Sequence, residues 1–246
     1  MILLYSLLGL LMGGLVNGLA DTLPRERRPA RPQCPYCGVP RPLTDWLAVV
    51  SYLLGRGRCP ACTAPIPLRS VVVELSLALG FAYLYGLYGP TLHLLLVSLY
   101  GVILALITVI DLEHRLVLNV VILPAILLAL VTAPLLPAMT WKRVLVGGLV
   151  GFLFFYLAAL AYPGGMGAGD VKLAAFIGLI SGFPGVVVAL LVTLFAGGFV
   201  SLLLLLTRLR SLKDPIPYGP FLVVGGLTAL LYGQQIVAWY LARAGV

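Results

Sequence analysis

Charged side chains are scarce in this sequence. Asp, Glu, Lys and Arg together make up 10% of the 246 residues, whereas hydrophobic residues make up 61%. Soluble domains carry about a quarter of their residues as charges. The shortage therefore excludes an ordinary soluble fold and requires that much of the apolar surface face lipid. Because one membrane helix uses roughly 20 residues, the apolar runs leave room for only one modest polar domain.

Acidic residues are the rarer of the two charge signs. There are 8 Asp and Glu against 16 Lys and Arg, which gives a net charge of +8. Such a balance suggests nucleic acid in a soluble protein, but these cations cluster between apolar runs and few aromatic residues are interleaved to stack bases. We therefore expect no nucleic-acid partner. The basic segments favour anionic lipid headgroups at the membrane surface.

Eight apolar runs predict an all-α membrane protein with about eight transmembrane helices. The runs cover residues 1–20, 70–88, 91–110, 117–135, 144–162, 171–183, 185–206 and 219–241. The run at 171–183 is short for a hydrocarbon core of ~30 Å, so we expect its helix to start in the glycine-rich stretch before it or to be sheltered by protein at its end. The sequence thus divides into a first transmembrane helix (1–20), a polar loop (21–69) and a seven-helix membrane domain (70–246).

The distribution of cations predicts the orientation. If residues 21–69 are cytoplasmic, 13 Lys and Arg lie on the cytoplasmic side and 3 lie outside, as the positive-inside rule requires. The first run has no basic residue before it and several arginines after it, which is the reverse of a cleaved secretory signal. We expect a retained first helix and both termini outside. The outside pair Lys142-Arg143 departs from the rule.

Cysteine is absent everywhere except in the polar loop. Cys34 and Cys37 form one Cys-x-x-Cys pair, Cys59 and Cys62 form another, and 21 residues separate the two pairs. This spacing is typical of a zinc ribbon. Two disulfides are the alternative, but cytoplasmic thiols stay reduced. Since four thiolates leave no open coordination position, the predicted zinc is structural.

Two aspartates stand at the ends of apolar runs. Asp111 closes the run at 91–110, and Asp170 opens the run at 171–183. Because two spans lie between them, both carboxylates are predicted at one membrane face, the cytoplasmic one. Two close carboxylates share a proton, so that one keeps it while the other activates water and hydrolyses an amide. The alternative for Asp111 alone is an interfacial charge paired with Arg115.

A glycine-rich segment precedes the second aspartate. Four glycines lie within residues 164–169, directly before Asp170. Glycine permits an extended or positive-φ backbone, against which a stretched peptide could lie through strand-like hydrogen bonds. A phosphate-binding loop is excluded because the Gly-Lys-Ser/Thr ending is absent.

Glu74 is a third acidic residue at membrane depth. It lies just inside the run at 70–88 and can reach the interface or pair with Arg69. Acidic residues at this depth are functional candidates by default. From the sequence, a structural and a functional role both stay open.

These motifs together resemble the type IV prepilin peptidases, which are leader peptidases and N-methyltransferases of the Gly-x-Gly-Asp intramembrane aspartyl protease class. The resemblance covers residues 14–25, both cysteine pairs, and residues 65–74, 110–114, 167–173 and 216–221. It departs from the family pattern at Leu118-Asn119, where Pro-Asp is usual, before Asn17 and after Asp45. Because these departures fall mainly in parts associated with methylation, peptidase activity is expected and methyl transfer stays open.

The resemblance also implies the site and its setting. Asp111 and Asp170 would be catalytic and cut the basic leader from a prepilin or pseudopilin, while Gly167, Gly169 and Lys172 would contact the substrate. S-adenosylmethionine would supply the methyl group for any N-methylation, and the setting is the bacterial inner membrane. Two rival hypotheses remain. One is a proton- or cation-coupled transporter using the same aspartates, although transport sites tend toward the bilayer midplane. The other is a non-enzymatic scaffold.

Overall fold

The computed structural model describes residues 1–28, 33–34, 36–40, 46–54, 57–161, 167–207 and 217–244. Asp45, residues 164–166 and Ile216, which the sequence analysis used, lie outside these ranges. Within them the chain forms α-helices, short connections and no β-strand. The helices in those ranges are α1 (Ile2–Glu26), α2 (Ala48–Leu53), α3 (Leu68–Tyr88), α4 (Leu92–His114), α5 (Asn119–Thr132), α6 (Trp141–Ala161), α7 (Ala168–Ser181), α8 (Gly185–Leu206) and α9 (Gly219–Ala244). A 3₁₀ turn at Ala133–Leu135 follows α5.

Each of the eight predicted apolar runs is a helix, and α2 is an addition within the polar loop. The helices α1, α3, α4, α6, α8 and α9 are long and apolar enough to cross a membrane. The prediction of a multi-pass, all-α membrane protein is therefore confirmed. The first helix continues to Glu26, past the predicted boundary at residue 20. The predicted division at residues 20 and 69 stays a prediction.

The short run before Gly182 is a helix of 14 residues, α7. It begins at Ala168, so it does start inside the glycine-rich stretch, as expected. From Val171 to Ser181 most of its side chains are buried on every side. A helix that is apolar all round is a core element, and this explains how a helix too short to span a bilayer alone is accommodated.

The chain divides into two compact units, Met1–Ile110 and Asp111–Val246. In the first unit α1 packs along α3, and glycines on α1 allow the close approach. A Cβ added to Gly13 would lie 2.5 Å from the Cα of Glu74. The α1 glycines therefore set the distance between these two helices.

In the second unit, α7 packs against α5, α6, α8 and α9. The crossing of α6 and α7 is a contact of glycine on glycine, because a Cβ on either Gly147 or Gly178 would clash with the backbone of the other helix. A Cβ added to Gly226 of α9 would lie 2.9 Å from the side chain of Ile177 on α7. The second unit is thus arranged around the helix that begins with the Gly-x-Gly-Asp motif.

Candidate active site and metal centre

Asp111 lies in the last turn of α4 and is almost fully buried, with 4% of its surface exposed. Its Oδ2 accepts a hydrogen bond of 3.0 Å from the backbone N–H of Gly219. Gly219 is the first residue of α9, so the carboxylate lies at a helix N-terminus, whose partial positive charge stabilises an anion. The second unit therefore holds this carboxylate in one orientation and compensates its charge.

Asp170 lies in the first turn of α7 and is half-buried. Its Oδ2 accepts a hydrogen bond of 3.3 Å from the backbone N–H of Gly167, and its own N–H donates to the Gly167 carbonyl at 3.0 Å. These two bonds close the first turn of the helix. Each of the two aspartates is thus held by a backbone N–H at the start of a helix.

The Asp111 and Asp170 carboxylates are close enough to interact electrostatically. Both belong to the second unit. Two carboxylates that repel each other disfavour simultaneous ionisation, so the pair tends to hold one proton between them. The arrangement contains what water activation requires, namely a carboxylate to take a proton and a carboxylic acid to give one.

The four cysteine sulfurs form one cluster, in which all of them lie within 4.8 Å of one another. The Cys34–Cys62 and Cys37–Cys59 sulfur pairs are each 3.8 Å apart. Four sulfurs bound tetrahedrally at about 2.3 Å from a zinc ion would be separated by about 3.8 Å. The cluster therefore has the dimensions and the donor set of a tetrahedral metal site.

Two knuckles of the same backbone geometry build this cluster. Cys34 and Cys59 each exchange backbone hydrogen bonds, of 2.8 to 2.9 Å, with the residues four and five positions later. The residue four positions later has a positive φ in both knuckles, 73° at Gly38 and 57° at Thr63. The same turn thus forms twice. Gly38 adopts the positive φ without strain, whereas Thr63 is β-branched and is strained there.

Backbone groups of the second knuckle lower the pKa of one of the four thiols. The N–H groups of Cys62 and Ala61 lower the pKa of the Cys59 thiol to about 6. The pKa of Cys62 is raised to about 12, because desolvation and the neighbouring sulfurs outweigh the hydrogen bond from Ala64 that lowers it. A cation is needed to deprotonate the whole set, so metal binding should release protons and weaken at low pH.

Two protein-family models match the chain: the type IV leader peptidase family over residues 98–202 and the bacterial Peptidase A24 N-terminal domain over residues 7–88. The chain is also 30% identical over 278 residues to the prepilin leader peptidase/N-methyltransferase of Pseudomonas aeruginosa, covering 99% of this chain and 94% of that protein. The chain belongs to the type IV leader peptidase family. It is therefore a membrane protease, and the transporter hypothesis gains no support.

Other relatives of this leader peptidase carry the same name. The Bacillus subtilis protein is 27% identical over 249 residues, covering 99% of each chain. The Aeromonas hydrophila protein is 32% identical over 228 residues, covering 91% of this chain and 79% of that protein. No solved structure gives a significant match. Both aspartates lie in the segment matched by the leader peptidase model, and all four cysteines lie in the segment matched by the N-terminal model.

Among the three predicted substrate contacts, Gly167 donates its backbone N–H to the Asp170 carboxylate. A Cβ added to Gly169 would lie 2.7 Å from the Cβ of Val117, so this glycine packs on the segment after α4. Lys172 donates a hydrogen bond of 2.7 Å to the Oδ1 of Asn119, the first residue of α5. Gly169 and Lys172 thus fix the start of α7 against the start of α5.

Glu74 has a structural role in the first unit. It is 0% exposed, and its carboxylate accepts hydrogen bonds from the backbone N–H groups of Ala48 at 2.8 Å and Val49 at 2.9 Å. These are the first residues of α2, so the carboxylate caps that helix. Arg69, which the sequence offered as a partner for Glu74, forms an ion pair with Asp21.

Two further residues belong to the aspartate site and were not predicted from the sequence, Gly219 and Tyr218. The signal for Gly219 was the Gly-Pro pair that opens the last apolar run, because proline favours the first turn of a helix. Tyr218 comes directly before it and packs on Phe155, with 5.9 Å between the ring centroids. Burial, and then the charge of Asp170, raise the pKa of Tyr218. Its phenol therefore keeps its proton beside the carboxylates.

Proposed function

We propose that this leader peptidase hydrolyses the bond between the basic leader and the mature part of a type IV prepilin or pseudopilin. The single observation that carries the proposal is the interacting pair of Asp111 and Asp170 within one compact unit. The curated relatives, which are named prepilin leader peptidases, support the choice of substrate.

The proposed chemistry uses one proton shared by the two aspartates. The ionised carboxylate takes a proton from water, and the water oxygen adds to the scissile carbonyl carbon. The protonated carboxyl donates to the carbonyl oxygen, and the tetrahedral intermediate then collapses when the leaving nitrogen receives a proton. Because the Gly219 N–H holds Oδ2 of Asp111, the other oxygen of that carboxylate is the one assigned to the water.

The substrate is proposed to lie extended along the residues that lead into α7. Gly167 carries no Cβ, and nothing lies within 3.4 Å of the place where one would stand, so a peptide backbone can approach it closely. Gly169 packs on Val117, so its proposed contact with the substrate is through its backbone groups. Lys172 is half-exposed and two residues from Asp170. Since the leader is basic, a contact from the Lys172 ammonium is expected on the mature side of the scissile bond rather than on the leader.

We infer that the protein lies in the bacterial inner membrane with the aspartates at the cytoplasmic face. The support is the distribution of Lys and Arg, 13 against 3, together with the positions of Asp111 near the end of α4 and Asp170 near the start of α7. The basic leader of the substrate would lie on that side, next to anionic lipid headgroups.

We propose zinc as the metal of the cysteine cluster. Its support is the tetrahedral spacing of the sulfurs and the all-thiolate donor set. Such a site has no open position for water, so the metal would order the polar loop and take no part in peptide hydrolysis.

N-methylation of the new N-terminus is a second candidate activity, and it would use S-adenosylmethionine. The observation that favours it is a group of buried oxygen atoms in the first unit. Asn17 Oδ1, Ser51 Oγ and Ser70 Oγ have no hydrogen-bond partner among the described residues. S-adenosylmethionine carries a sulfonium and an ammonium group, and oxygen atoms without a partner can accept from or face such cations. Asn17, Ser51 and Ser70 are therefore the residues that would hold it. When bound, it supplies an electrophilic methyl group.

One experiment tests both activities. The detergent-purified protein is incubated with a purified prepilin, with and without S-adenosylmethionine, and the product N-terminus is read by mass spectrometry. We expect cleavage in both samples and an added methyl group only with the donor. An intact prepilin, under conditions where a relative from Pseudomonas aeruginosa cleaves it, would contradict the peptidase proposal. Cleavage without methylation would limit the activity to hydrolysis.

A further inference from the structure

A cavity of about 260 Å³ opens in the second unit at the end of α7 that lies away from Asp170. Ser181, the last residue of α7, lines it, together with Arg143 of α6, Gly185 of α8 and Gln234 of α9. The aspartate site therefore takes no part in this cavity. Its volume lies below the roughly 300 to 1,000 Å³ of sites for drug-sized ligands, so a small group fits it best.

The polar groups of the cavity offer donors for an anion. The Ser181 side chain is 8% exposed, and its Oγ has no hydrogen-bond partner in the part of the chain that the structure describes. The Arg143 guanidinium donates one hydrogen bond, of 2.8 Å, to the Ala138 carbonyl. A guanidinium has five N–H donors, and their planar fork matches two oxygens of a phosphate. The N-terminus of α8, at Gly185, adds partial positive charge.

The charged residues assigned to the outer side of the membrane are all positive. Lys142, Arg143 and Arg243 are the charged residues assigned to the outside loops and the chain end. No acidic residue falls in a segment assigned to the outer side; the eight are Asp21, Glu26, Asp45, Glu74, Asp111, Glu113, Asp170 and Asp214. Cations on the outer side go against the positive-inside rule. A local reason for Arg143 is therefore needed.

Two tryptophans indicate the depth of the cavity. Trp141 directly precedes the Lys142-Arg143 pair and is 56% exposed, and Trp239 of α9 is 58% exposed. Exposed tryptophans on membrane helices mark the level of the lipid headgroups. Because both flank residues that line the cavity, it opens at headgroup depth.

We propose that this cavity binds the phosphate of an anionic phospholipid of the outer leaflet, with Arg143 as the charge partner and the Ser181 hydroxyl as a donor. The outer leaflet follows from the orientation proposed above, whereas the phosphate site follows from the cavity and its donors alone. The site is separate from the peptidase chemistry, so a cleavage assay tests neither the cavity nor its ligand.

The test measures lipid retention by the intact leader peptidase with native mass spectrometry. The probes are phosphatidylglycerol, which is anionic, and phosphatidylcholine, which is zwitterionic. We expect wild type to retain phosphatidylglycerol preferentially and Arg143→Gln to lower that retention about tenfold. The matched control is Lys142→Gln, which removes the same charge from the same turn but does not line the cavity. It should change retention less than about twofold.

A second variant covers the case in which Arg143→Gln fails to fold. Ala238 lines the cavity from an exposed position on α9, so Ala238→Phe should fill the space and leave the helices intact. It should also displace phosphatidylglycerol. Equal retention by wild type, Arg143→Gln and Ala238→Phe would overturn the proposal, and so would equal losses in Arg143→Gln and Lys142→Gln, since these would reflect surface charge alone.

Inorganic phosphate distinguishes the two sources of the ligand. For a lipid site, free phosphate should leave the retained phosphatidylglycerol in place. If free phosphate displaces the lipid from wild type and stabilises wild type but not Arg143→Gln against heat, the lipid assignment is overturned in favour of a site for the free ion. Prepilin cleavage in detergent should stay normal in Arg143→Gln, Lys142→Gln and Ala238→Phe whatever the lipid result, because the cavity lies at the end of α7 away from Asp170. Loss of cleavage would therefore concern the proposed peptidase activity and not the lipid site.

Discussion

The backbone N–H of Gly219 donates a hydrogen bond of 3.0 Å to the carboxylate of Asp111, 108 residues earlier in the chain. This contact places the start of α9 against Asp111, and it requires that residue 219 have no side chain. A Cβ at Gly219 would lie 2.5 Å from Oδ2 of Asp111 and 2.9 Å from Cγ. The last helix is therefore part of the aspartate site.

Replacing Gly219 with Ala should displace the Asp111 carboxylate. Because a misplacement of about 1 Å can cost about 10²-fold in rate, we expect kcat for prepilin cleavage to fall by about that factor while KM changes little. The control is Gly198→Ala in α8, where an added Cβ meets nothing within 4 Å. Equal kcat values for Gly219→Ala and wild type would show that the contact does not position the carboxylate.

Changing either aspartate to Asn should abolish cleavage while the protein still folds. An amide keeps the shape of the side chain but can neither share the proton nor activate water, and we expect a loss of at least about 10³-fold. The double variant should be no worse than either single one, because the two residues act as a unit. Glu113→Gln, an exposed neighbour of Asp111, is the control. Near-normal cleavage by Asp111→Asn or Asp170→Asn in a defined assay would show that hydrolysis does not use this pair of carboxylates.

Replacing Cys34 and Cys37 with Ser should remove the metal and loosen the polar loop. Half of the thiolates would be lost, so elemental analysis should find no bound zinc, and residues 21–69 should become sensitive to protease. The control is Tyr36→Ala, which alters the same knuckle at a side chain that is 63% exposed and leaves the sulfurs in place. Wild-type protein without zinc, or an unchanged digestion pattern in the variant, would speak against the metal site.

The two knuckles predict opposite effects of exchanging their αL residues. Thr63→Gly relieves a β-branched residue at φ 57° and should tighten metal binding by about 1 kcal/mol, reduced by the loss of its hydroxyl bond to the Cys62 carbonyl. Gly38→Thr should weaken binding by about 1–2 kcal/mol, although nothing lies within 4 Å of the added Cβ. Competition with a chromogenic chelator measures both. Two changes of the same sign would contradict the backbone explanation.

The sequence predicted the aspartate pair by counting membrane crossings, which does not require knowledge of any contact. Asp111 and Asp170 lie at the ends of apolar runs, and two spans between them return the chain to one face. The structure gives them an electrostatic interaction, which supports the same conclusion. Their catalytic role stays a prediction until the Asn variants are measured.

The role of Glu74 could not be predicted from the sequence. Its depth in the membrane marked it as a candidate for function, yet its carboxylate accepts hydrogen bonds from Ala48 and Val49 of α2, a loop helix that no apolar run predicted. A helix of six residues has too little periodicity to be found from the sequence. The Glu74 carboxylate that caps this helix lies in another segment, so a local pattern does not record the contact.

The sequence by itself determined the membrane class, the eight apolar helices, the cysteine pairs that cluster and the family, because composition, run length and motif spacing are local properties. Only the tertiary structure decided that Gly219 holds Asp111, that Gly169 packs on Val117, and that Ser181 and Arg143 share a cavity. These contacts join positions far apart in the chain. They depend on how glycines let helices approach, and a linear pattern does not record which helices meet.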